Sequence, residues 1–204
     1  MSDKNGTRVW NDVNPFLHET NPSPCLGLLE LGSVAAGVEV ADEVLKGGLV
    51  ELLVATPVQP GKFVALFSGE VEAVRSAIEN GTERAGRDLV DRLFLPQAHE
   101  QVPMALRRQG GVLAGELDAI GVLELSTVAS AVAAADLAVK TAAVDLLALR
   151  IANGLGGKSY LTITGEVSDV RSSIVASGRA AEASGHLLRQ VVVPNPHPEL
   201  VRHL

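Results

Sequence analysis

The feature that most constrains this 204-residue chain is that it contains the same unit twice. Residues 27–55, GLLELGSVAAGVEVADEVLKGGLVELLVA, align without gaps to residues 121–149, GVLELSTVASAVAAADLAVKTAAVDLLAL, at a constant offset of 94. Thirteen of those 29 positions are identical, where a chain of this composition gives about three by chance. The offset becomes 96 at Gly61-Lys62 against Gly157-Lys158 and holds through residues 69–71 against 165–167. It reaches 98 at Pro96 and His99 against Pro194 and His197. A repeat at near-fixed offset means one folding unit built twice. We therefore divide the chain into a polar extension over 1–22, with Trp10 and Phe16 as candidate anchors, and two repeat domains over 23–112 and 113–204. Gln109-Gly110-Gly111 is the expected hinge between them.

Each unit reads as strand, helix, strand, strand, helix, strand. In the first, residues 25–31 form an apolar strand, and Val34, Val38, Ala41 and Leu45 then recur at helical spacing. Residues 49–55 predict a second strand, and the break at 57–61 is followed by a third over 62–67. A helix begins near Glu70 and continues through Val74 and Ile78, and residues 92–95 close the sheet. This order is the ferredoxin-like arrangement: four antiparallel strands with both helices on one face, an α+β fold present twice. Short closing helices are expected over 99–109 and 198–204.

Composition narrows the function. A formal net charge of -7 with singly scattered acids argues against nucleic acid, whose phosphates require a basic patch. No run approaches the roughly 18 to 20 apolar residues of a membrane-spanning helix, and the start MSDKNGTRVWND lacks a signal pattern, so the expectation is a cytoplasmic protein with no membrane partner. The single Cys25 excludes an internal disulfide and cannot alone build a zinc or iron–sulfur site; a small buried hydrophobe is its simplest role. With aromatics at 3%, stacking platforms for bases or flat cofactors are scarce.

With the copies aligned, the pattern resembles the tandem-domain, trimer-forming branch of the bacterial microcompartment shell family. The resemblance rests on Gly-Leu-Leu-Glu-Leu at 27–31, Ala41-Asp42 with Lys46, Pro60-Gly61-Lys62, Gly69-Glu70-Val71, and Pro96 with His99. The second copy repeats these at 121–125, Ala135-Asp136 with Lys140, Gly157-Lys158, Gly165 to Val167, and Pro194 with His197. It implies a homotrimer whose six domains form a hexagonal tile with a central pore for small metabolites. It also implies assembly with hexameric and pentameric tiles in a microcompartment shell. Two fused copies of an edge-forming unit give a pseudo-sixfold ring when a threefold axis closes the chain.

The resemblance assigns the pore to the loop between the second and third strands: Val58, Gln59, Pro60 and Gly61 in one copy, and Asn153, Gly154, Leu155, Gly156 and Gly157 in the other. Neither loop carries a charged side chain, and the second is two residues longer. Backbone amides turned toward a hole favour polar or weakly anionic solutes. Without the resemblance, these loops are ordinary hairpin connections. Absence of gating charge implies a single-layer, constitutively open tile. Some tandem tiles hold an iron–sulfur cluster on pore-loop cysteines; neither loop here has one, so no cofactor or metal is expected. Gly154 to Lys158 also lacks the Walker spacing needed to cradle a nucleotide phosphate.

Lys46 and Lys140 end equivalent helices four residues after an aspartate, where local pairing and the helix dipole both favour a cation. The resemblance places both at the tile edge, with His99 and His197. Duplication of the histidines argues for structure over catalysis. The arginine usual two positions before each is Gln97 or Asn195 here, implying edge contacts that are weaker or made by other residues. Glu30 and Glu124 recur as strand-end residues, not as a facing acid–base pair, and no catalytic constellation stands out. The rival to a non-enzymatic shell tile is a tandem ferredoxin-like regulator binding a small ligand between its domains.

Overall fold

The computed structural model describes residues 25–107, 117–152 and 154–203. The 1–22 extension, the hinge at 109–111 and Asn153 lie outside them. In the first repeat the elements are β1 (Leu26–Leu31), α1 (Val34–Gly47), β2 (Val50–Val58), β3 (Lys62–Gly69), α2 (Val71–Ala85), β4 (Leu89–Leu95) and α3 (Gln101–Arg107). The second repeat gives β5 (Ala119–Leu125), α4 (Val128–Thr141), β6 (Val144–Ile151), β7 (Ser159–Gly165), α5 (Val167–Ala183), β8 (Leu187–Pro194) and α6 (Pro198–Val201).

The first helix of each repeat starts where a hydroxyl can satisfy a backbone N–H that has no intrahelical acceptor. Ser33 accepts from the Ala36 N–H at 3.3 Å, and Thr127 from the Ser130 N–H at 3.1 Å. Each repeat folds into one four-stranded antiparallel sheet, ordered β2-β3-β1-β4 and β6-β7-β5-β8. In both copies a bulge follows the glutamate of the central strand, between Glu30 and Leu31 and between Glu124 and Leu125. A bulge re-aims the side chain beside it, so the doubled defect marks those two glutamates.

Helix α1 turns Gly37, Val40, Ala41 and Val44 onto its own sheet. Of the stripe read from sequence only Ala41 is on that face; Val34, Val38 and Leu45 are 37%, 58% and 46% exposed. In α4 their counterparts Val128, Val132 and Val139 are buried, because there the second stripe meets the other domain. One apolar cluster runs from Leu28, Val64 and Leu66 of the first sheet to Val128, Val132 and Ala135 of α4, so the domains share a core.

Close packing in the first domain depends on Gly37. A Cβ there would lie 2.2 Å from Phe63 Cγ. The second domain makes the opposite choice with Ala131 and Ser159, conserving volume across the contact.

Candidate functional site

The buried carboxylate of Glu30 organises the joint between the repeats. It sits in an otherwise apolar strand and has no solvent exposure. A charge so placed is tolerable only when paired and hydrogen-bonded. Lys62 Nζ donates to it at 2.9 Å, and the backbone N–H groups of Val128 and Ala129 donate at 2.7 and 3.4 Å. Those amides open α4, where unsatisfied N–H groups and the helix dipole favour a negative charge. Lys62 also reaches the Ser126 carbonyl at 3.5 Å. Beside this core of the joint, Thr127 Oγ1 donates to Asp91 at 2.5 Å, and His186 Nε2 lies 3.6 Å from the same carboxylate oxygen.

A second set of contacts follows β4. Asp136 on α4 accepts from the His99 N–H at 2.7 Å and pairs with Lys140 at 2.6 Å, while Lys140 also donates to the Gln97 carbonyl. The Gln101 side chain then grips the outer edge of β6, donating to the Val144 carbonyl at 3.3 Å and accepting from the Leu146 N–H at 2.6 Å. Of the four proposed edge residues, the structure thus brings Lys140 and His99 together at the joint. Lys46 pairs with Asp42 on the exposed face of α1, and the hydrogen bond and charge of Asp42 hold its ammonium pKa above the ordinary lysine value. His99 and His197 act alike as caps: their Nδ1 atoms accept from the N–H groups of Gln101 and Glu199 at 3.3 and 3.2 Å.

The two strand-connecting loops come together across the joint. A Cβ on Gly157, whose φ is +88°, would lie 2.7 Å from Pro60 Cδ and 3.3 Å from the Gln59 carbonyl oxygen. Glycine is therefore required there by both conformation and proximity. Around Gly61, Gly154 and Gly156 a Cβ would meet nothing within 4 Å, so this part of both loops borders open space. Ala152 N donates to the Lys158 carbonyl at 3.1 Å, matching the Val58–Lys62 pair, which leaves 153–157 against 59–61 and accounts for the two-residue difference. The loop reading needs two corrections. Val58 ends β2 and is 3% exposed, so its side chain belongs to the core. The N–H groups of Gly61 and Leu155 turn back onto the Val58 and Ala152 carbonyls, closing turns instead of facing outward.

Sequence reasoning missed Glu30 with Lys62, Asp91 with His186, and the Gln101 clamp as binding groups. A carboxylate recurring inside two apolar strands, each with a lysine following the loop, was the available signal for the first. The joint is packed with side chains, Val128 and Val132 being fully buried. Among the described residues, no three His, Cys, Asp or Glu side chains gather to hold a metal, and no helix is long and apolar enough to cross a membrane.

This architecture, two sheet-and-helix units joined edge to face with paired loops on one side, is that of a tandem shell domain. The BMC domain family matches residues 25–98 and again 119–196. The chain belongs to that family, as a bacterial microcompartment shell protein with two BMC domains. It is 40% identical over 182 residues to the bacterial microcompartment shell protein PduT of Citrobacter freundii, covering 89% of this chain and 98% of the relative. The crystal structure of a microcompartment protein from Desulfitobacterium hafniense superposes with a TM-score of 0.76 at 42% identity, over 87% of this chain and 98% of the other. A double-ringed trimeric shell protein of the RMM microcompartment shares the fold at a TM-score of 0.59 and 19% identity, over 78% and 82% of the two chains.

Proposed function

We propose that three copies of this chain close into a flat ring of six domains, a shell tile that passes small metabolites through one axial opening and performs no chemistry. The observation that carries this reading is that each chain has one joint satisfied and its two complementary halves left over. The first domain's β1–β4–α3 face is occupied by α4, while the corresponding β5–β8–α6 face is open and α1 still exposes Val34, Val38 and Leu45. Such a heterologous interface repeats from chain to chain and forms a ring when the rotation closes. The opening is lined by Gln59, Pro60 and Gly61 with Gly154, Leu155, Gly156 and Gly157. With no charged side chain in either loop, this lining favours small polar solutes. Lys46, Lys140, His99 and His197 lie toward the perimeter, where the lysines meet neighbouring hexameric and pentameric tiles through their aliphatic stems.

Light scattering over a concentration series tests this. A single-layer tile has a mass of about 64 kDa, three times the 21.2 kDa of one chain, and a stacked pair has twice that. A stable monomer overturns the ring and the pore together.

A further inference from the structure

We infer that the joint between copies repeats the joint inside the chain with its flanking polar pair exchanged, Arg189 of one copy pairing with Asp88 of the next where Asp91 faces His186 within the chain. The inference rests on the ring reading above and adds the residues that hold the ring shut.

Backbone geometry fixes the equivalences. Gly32 N donates to the Asp88 carbonyl at 2.7 Å as Ser126 N donates to the His186 carbonyl at 3.0 Å, so Asp88 and His186 occupy one site of the repeat. Asp91 lies opposite Glu30 in the β1–β4 register, and Arg189 lies opposite Glu124 in β5–β8, so Asp91 and Arg189 occupy another. Inside the chain these two sites face each other across the joint as Asp91 and His186. Repeating the joint places Arg189 before Asp88 of the next copy. Arg189 is exposed in the single chain and Asp88 is half-buried, so both are open to pairing.

The surrounding surface is prepared in the same way. Glu124 and Lys158 stand where Glu30 and Lys62 stand, and Glu124 is aligned to receive the N–H groups of Val34 and Ala35 as Glu30 receives those of Val128 and Ala129. Leu93 and Val102 are covered within the chain, at 8% and 0% exposure, whereas their counterparts Val191 and Leu200 are 42% and 45% exposed. These apolar groups supply the contact area, and the charges supply its specificity. A ring with like domains side by side would set Asp91 against Asp88 and Arg189 against His186, so the exchange favours strict alternation.

Charge reversal tests the pair in the full-length protein, read as the concentration of half-dissociation by light scattering and sedimentation velocity. Asp88→Arg and Arg189→Asp each raise that concentration by about tenfold or more, and the double variant recovers to within about threefold of the parent. Because Arg189 also lies opposite Glu124 in its own sheet, Asp88→Arg and the double variant carry the decision. Circular dichroism melts establish that each variant folds; one that does not is replaced by Asp88→Asn or Arg189→Gln, expected to weaken the ring by about threefold. A trimer indifferent to Asp88→Arg, or a double variant no tighter than the singles, overturns the pair. A parent protein monomeric at every concentration overturns the ring reading itself, a distinct result.

Discussion

The Glu30 carboxylate accepts a hydrogen bond of 2.7 Å from the Val128 N–H, 98 residues further along the chain. The central strand of one domain thereby caps the first helix of the other. Helix capping is ordinarily a local device; here it fixes the relative position of two domains.

Replacing Glu30 is expected to be costly in a graded way. Glu30→Ala strands the Lys62 ammonium, whose side chain is 21% exposed, and leaves the α4 amides without an acceptor. Breaking a buried pair from one side costs about 3–5 kcal/mol. Glu30→Gln keeps a carbonyl oxygen for the Val128 N–H and is expected to cost about 1–3 kcal/mol. Urea unfolding of the three proteins measures the order; an alanine variant within about 0.5 kcal/mol of the parent would contradict the central role of this residue.

The contact of Gly37 with Phe63 predicts strong coupling. Gly37→Ala drives a methyl into the ring and is expected to destabilise by about 1–3 kcal/mol despite its better helix propensity. Adding Phe63→Ser reproduces the Ala131–Ser159 pairing of the second domain, and the double variant should cost less than the sum of the singles. Additive losses in a double-mutant cycle would rule the coupling out.

The fold was legible because its signals are local. Apolar runs bounded by turn residues placed the strands, 3.6-residue spacing placed the helices, and the near-constant offset carried the result to the second copy. The joint was not legible for a physical reason. Val34 and Val38 on α1 form an apolar stripe as regular as any core stripe, and only a docking neighbour distinguishes a face that packs on its own sheet from one that awaits another domain. Glu30 was equally opaque, because its partners lie 32 and 98 residues away and no local spacing links them. Pro57 suggests a break that would put Val58 in the loop, but β2 pairs with β3 through both residues.

The loops predict how permeation responds to charge. Gly156 borders open space, so in the proposed three-chain ring Gly156→Asp adds a carboxylate at each of three symmetry-related positions. We expect anion passage through tiles in a planar bilayer to fall and cation passage to rise, with the solution mass unchanged. Its φ of +61° suits Asp better than a branched residue. Conductance that ignores the substitution would remove these loops from the opening.

In the second domain, Ser159 carries a fully buried hydroxyl with no hydrogen-bond partner among the described residues. Its desolvation is uncompensated, so Ser159→Ala removes a cost and opens only a small space. The variant is expected to match or exceed the parent in stability by up to about 1 kcal/mol. A loss above that in thermal melts would mean the hydroxyl has a partner after all.

Cys25 gives the chain a pH dependence with a defined sign. Burial pushes its thiol pKa up, opposed by the nearby Arg75 charge and reinforced by Glu70. Unfolding returns the thiol to its ordinary value of about 8.5. Above that pH the unfolded chain sheds a proton the folded one retains, so the contribution is full below about pH 8.5 and lost as pH rises through the folded pKa. Stability should therefore decline over this alkaline window, and Cys25→Ala should flatten that part of the profile after its own packing loss is subtracted. The same burial, at 1% exposure, keeps the thiolate scarce and shielded, so a thiol reagent at pH 8 should label the native protein far more slowly than the urea-unfolded chain. Equal labelling rates in the two states would show that the thiol is accessible, and the alkaline decline would then need another origin.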